Sequence, residues 1–102
     1  MSMKDEFATV NDGYIRSAAL RLLAELPEYR ANDIVIADAV RAIGLGCTND
    51  QLRGHLTWLE EQRLVTVADV SGIKVATLTE RGAEVAAGRA HIDGVQRPKP
   101  GR

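Results

Sequence analysis

The sequence predicts a mainly α-helical fold carrying one small antiparallel β-hairpin. Three observations lead there. Between Thr48 and Thr79 the apolar spacing changes from a helical period to strict alternation. Thr48 and Gln51 form a capping-box pair just ahead of that stretch. Upstream, Pro27 and Gly44-Leu45-Gly46 divide the chain into segments of helix length.

Taken in order, residues 1–12 have Phe7 and Val10 as apolar anchors and are expected to be flexible. Asn11 or Asp12 caps a first helix running to about Leu26. Its Ile15, Ala19, Leu22 and Leu26 share one face, broadened by Ala18 and Leu23. Pro27 stops it, and Pro27 to Arg30 reads as a connector. Asn32 or Asp33 starts a second helix with Ile36, Val40 and Ile43 on its inner face. The glycines at Gly44 and Gly46 end it and leave a short turn before Thr48. In the third helix Leu52, Leu56 and Leu59 recur at four and three. Trp58 lies beside that face and is expected between the helix and the strands. The strands are Val65 to Val70 and a return through Ile73, Val75 and Thr77, with Ser71-Gly72 as the turn. Thr79 caps a last helix to about Ala90, whose Ala83, Ala86, Ala87 and Ala90 suit close approach of another helix. Residues 91–102 read as a basic, disordered tail beyond a domain spanning 13–90.

Composition bounds the function. The 102 residues suffice for one domain, and 45% apolar with 26% charged is ordinary for a soluble protein. No apolar run approaches membrane-spanning length, so no membrane partner and a cytoplasmic location are expected. Cys47, His55 and His91 lack metal-ligand spacing. No phosphate loop or catalytic constellation appears either, so neither a metal, a cofactor nor an enzyme is expected. Residues 1–88 carry nine Lys/Arg against thirteen Asp/Glu, a net of −4, whereas residues 89–102 carry +3. An acidic body is a poor general binder of polyanions.

Particular residues carry a resemblance. His55, Leu56, Leu59, Leu64 and Val65, in the pattern HL-x-x-L-x-x-x-x-LV, resemble the recognition helix and first wing strand of winged helix-turn-helix regulators. The likeness is to the arsenic-repressor and multiple-antibiotic-resistance types. Leu78 to Ala86, LTERGAEVA, is similar to the segment where those proteins leave the wing. The match spans residues 14–90. Those families usually end the recognition helix on glycine, and Arg63 in that place suggests another exit geometry. The short length and the GVQRPKPG tail also resemble small winged-helix proteins of Mu-like phages and prophages.

The resemblance implies sequence-specific binding of double-stranded DNA by a small bacterial or phage transcription regulator, a homodimer through its first and last helices. Thr48, Asn49, Gln51, Arg53 and Thr57 would then meet bases or phosphates, with Lys74 and the tail on the backbone. His55 fits either a DNA contact or a buried hydrogen bond. The alternative is a winged-helix protein-interaction module in a phage or prophage assembly, without DNA binding, which the acidic body and sparse wing favour.

Overall fold

Short polar side chains start the helices of residues 2–97, the part of the chain that a computed structural model describes. Ser2, Asn32, Thr48 and Thr79 each accept a backbone N–H three residues on. They open α1 (Met3–Glu25), α2 (Asp33–Ala42), α3 (Asn49–Glu61) and α4 (Glu80–Ala86). Between them lie β1 (Arg30–Asn32), β2 (Val65–Val70) and β3 (Ile73–Leu78), an antiparallel sheet in the order β1-β3-β2. The architecture is mainly helical with this small sheet.

Leu52, Leu56 and Leu59 of α3 are buried against Ile15, Leu20 and Leu23 of α1 and Ile36 and Val40 of α2. Leu64 and Val65 carry the core into the sheet. Two turns set the directions. Arg63 adopts φ +64°, with Leu64 N–H donating to Leu59 C=O and Arg63 N–H to Glu60 C=O. This is the left-handed cap that glycine usually provides, so arginine takes the same exit rather than another one. Ser71 and Gly72, at φ +53° and +83°, make the tight hairpin turn whose twist suits the strands.

Several expectations are corrected. α1 begins at Met3, not at Asn11 or Asp12, because Ser2 caps it and Asp5 and Glu6 suit its positive end. Residues 3–10 are thus helical, though exposed. The sheet has three strands rather than two, since Arg30 leaves the connector to pair opposite Thr77. Ile43 caps α2 and is 63% exposed instead of facing inward. α4 stops at Ala86, where Gly88 at φ +80° closes the cap, and does not reach Ala90. The expected tail is docked over residues 91–97: Val95 is buried, and Gln96 N–H donates to Gly13 C=O at 3.1 Å. Its remaining residues, 98–102, lie outside the described residues.

Glycines give this fold a two-sided test. A Cβ on Gly82 would stand 2.0 Å from the Leu64 carbonyl oxygen, which already accepts the Thr79 N–H. The Leu64 backbone cannot yield, and the Leu78 side chain stands 2.7 Å away. Gly82→Ala should therefore cost about 3 kcal/mol. Gly54, inside α3, has nothing within 4 Å of its missing Cβ. Gly54→Ala should gain about 1 kcal/mol from helix propensity. Urea titration of both variants checks the opposite signs.

Candidate functional site

The exposed side of α3 and the adjoining hairpin turn hold the residues suggested for DNA contact, and most of their polar groups are already engaged. Thr48 Oγ1 accepts the Gln51 N–H at 3.0 Å and Gln51 Oε1 accepts the Thr48 N–H at 2.8 Å. Both side chains therefore hold the start of the helix. Asn49 Oδ1 accepts from Arg41, which also donates to the Cys47 carbonyl and pairs with Asp38 at 2.6 Å. Thr57 Oγ1 donates back to the Arg53 carbonyl at 3.1 Å.

Arg53 has a larger task. Its Nε donates to Asp33 Oδ2 at 2.6 Å, and its Nη2 donates to the Gly72 carbonyl in the hairpin turn. Asp33 is 1% exposed, and its other oxygen accepts the Ile34 N–H. A buried carboxylate needs such partners. The hydrogen bond to Asp33, opposed by some burial, raises the arginine's already high pKa. Arg53 therefore joins α2, α3 and the hairpin. Lys74 stands opposite Asp69 in the β2–β3 register and pairs with it at 2.6 Å. That hydrogen bond, with one from the Gly72 N–H, lowers the Asp69 pKa. Glu60 also serves the fold, accepting the Val67 N–H at 2.8 Å.

A second cluster lies between α1 and α3, beside a groove of about 540 Å³. His55 is buried; its Nδ1 accepts from Arg16 Nε at 3.1 Å, and its Nε2 lies 3.4 Å from Asp12 Oδ1. Arg16 stacks on Trp58, 4.1 Å from the ring centroid, and donates to the Gly94 carbonyl at 3.1 Å. Trp58 thus packs towards α1 and the docked 91–97 segment, not between α3 and the strands. Gly94, at φ +95°, fits there because a Cβ would stand 2.8 Å from the indole. Of the two readings open for His55, the geometry gives the buried hydrogen bond. Sequence reasoning missed Asp12 and Arg16, whose partners lie far along the chain. The only local signal was Asp12 and Arg16 at the i, i+4 spacing.

The alanine face is divided. Ala86 is buried and Ala83 half-buried within the chain, while Ala87 and Ala90 are exposed. No described helix is long and apolar enough to cross a membrane.

No family model matches the chain. It is 41% identical over 93 residues to the uncharacterized protein gp26 of Escherichia phage Mu, covering 89% of this chain and 97% of that protein. It is 40% identical over 67 residues to an uncharacterized protein of Haemophilus influenzae strain Rd, covering 65% of each.

The His55 environment predicts a pH dependence. Burial, then the nearby Arg16 charge, lowers the imidazole pKa, and Asp12 only partly opposes them. The folded state therefore binds the proton less readily than the unfolded state. The contribution to stability is complete above the ordinary histidine pKa of about 6.5 and is lost as pH falls from there through the folded value. Unfolding free energy should decline as pH falls below about 6.5, and His55→Gln should flatten that slope. Denaturant titrations across pH measure both.

Proposed function

The chain belongs to the family of the Escherichia phage Mu protein gp26, and we propose that it is a winged helix acting as a protein-interaction module in a phage or prophage assembly. The fold part of this reading is supported by the element order and by the capped α3 running straight into a hairpin. The membership of the family supports the phage setting.

One observation carries the preference for a protein partner over DNA. Arg41, Arg53 and Lys74 around α3 and the hairpin each lie 2.6 Å from a carboxylate of the same chain: Asp38, Asp33 and Asp69. A phosphate taking any of these cations would have to displace an acid and then sit beside it. Exposed pairs such as Lys74–Asp69 are individually weak. Losing Asp33's partner would instead strand a buried carboxylate. Arg16 is half-covered by Trp58 and already donates two hydrogen bonds.

The second reading is the small DNA-binding regulator, favoured by one feature. Asn49, Asp50, Gln51, Gly54 and Thr57 keep the first turns of α3 exposed, with open space over Gly54. In either reading Ala87 and Ala90 remain as the exposed part of the alanine face. Neither reading gives the chain an enzymatic activity.

Selection from random duplexes at near-physiological salt separates the two. The interaction reading expects no enriched sequence and a Kd no tighter than about 10⁻⁴ M. Enrichment of one site, with Arg53→Ala costing about 1–3 kcal/mol there and relaxing one position, would instead establish the regulator. Circular dichroism on Arg53→Ala must first show that the hairpin survives loss of the Asp33 pair.

A further inference from the structure

We infer that a second copy of this chain docks on the first half of α1, with the two helices lying antiparallel. Met3, Phe7, Val10 and Tyr14 recur at spacings of four, three and four. At 100° per residue they lie within about 60° of one another around the helix. All four are exposed, Met3 at 85% and Phe7 at 69%. They point away from Ile15, Ala19 and Leu23, through which the same helix enters its own core. A continuous apolar stripe held in water on an anchored helix marks an interaction surface.

The stripe is complementary to itself. Its spacing is that of a helix–helix seam. With a two-fold axis between Ala8 and Thr9, Met3 falls opposite Tyr14 of the second copy, and Phe7 opposite Val10. A large side chain then meets a smaller one in the central layers. Parallel pairing is disfavoured by the fold, because from Gly13 onward α1 is packed within its own domain, and both bodies would crowd one end. The antiparallel arrangement sends them to opposite ends and closes with two-fold symmetry.

Charge placement agrees. On one flank Lys4 faces Asn11 of the second copy. On the other, Glu6 faces Gly13, over which Gln96 is docked by its bond to the Gly13 carbonyl. Exposed Arg97 follows Gln96 and has no ion-pair partner among the described residues. Each Glu6 therefore comes near Arg97 of the other copy, although Asp93 of the same docked segment also stands beside Val10 and Gly13. The stripe leaves on the order of 400 Å² of apolar surface per copy. A pair burying about twice that falls short of a permanent interface, so the dimer is concentration-dependent. The surface is distinct from α3 and does not depend on whether α3 meets protein or DNA.

Sedimentation equilibrium on the full chain tests this. The wild type should dimerise with a Kd between about 10 μM and 1 mM. Phe7→Glu, at an exposed site, should keep the helical circular dichroism and weaken association at least about tenfold. Ala87→Glu on α4 should leave it unchanged. Glu6→Lys and Arg97→Glu should each weaken it, and the double variant should restore it. The proposal is overturned by a wild type monomeric at about 1 mM, by Phe7→Glu associating normally, by loss with Ala87→Glu instead, or by charge reversal without rescue.

Discussion

A carboxylate that has given up nearly all its water, Asp33, constrains the middle of this protein. Buried, it must be matched, and Arg53 matches it from the next helix while also holding the hairpin turn through Gly72. One planar guanidinium thereby fixes the start of α2, the rotation of α3 and the reach of the β2–β3 turn. Neither a lysine nor a neutral side chain would bond in two directions at fixed angles. The leucine face of α3 supplies the burial, but leucines alone would allow the helix to roll. The ion pair selects the orientation in which Leu52, Leu56 and Leu59 point inward.

That role explains how much of the site was legible beforehand. Residue types and their places on the exposed face of α3 follow from spacing, and the cap of Thr48 and Gln51 is local enough to read directly. What each side chain already holds is not local. Arg53 meets Asp33 and Gly72, about twenty positions away in either direction, and Arg16 meets His55 and Gly94. The fold divides the same way. Helix caps, the leucine face and the Ser71-Gly72 turn are written in neighbouring residues. β1 is three residues without periodicity and exists because β3 offers an edge. The first half of α1 buries nothing in its own core, and its apolar spacing of Met3, Phe7, Val10 and Tyr14 passed for isolated anchors because no second face turns inward there. At Arg63 the side chain misled, because the backbone bonds of the cap outweigh the cost of a left-handed arginine.

Electrostatics and lineage bear on one question from different sides. The relatives are a phage protein and a bacterial protein whose names give no activity, so the chemistry of the surface has to speak. A nucleic-acid binder keeps its cations available, since affinity comes from neutralising phosphates. Here Arg41, Arg53 and Lys74 are spent inside the chain, on carboxylates that lock turns and helix starts. Apolar side chains are left outside, on α1 and at the hairpin tip, where Val70 and Ile73 are exposed. That distribution is the usual mark of surfaces that meet protein.

The docking of Gly94 to Gln96 across α1 and Trp58 also orders events in time. The strip of α1 around Gly13 emerges early from a ribosome, whereas its cover is made only after α2, α3, the sheet and α4. At bacterial rates that gap is on the order of ten seconds. Through it, Arg16 and the indole lie open, and so does the helix surface beneath Val95. A nascent chain is therefore stickier at this spot than the finished protein, and a stalled or truncated product ending near Ala90 would stay so. The last segment acts as a stopper fitted once the rest has folded.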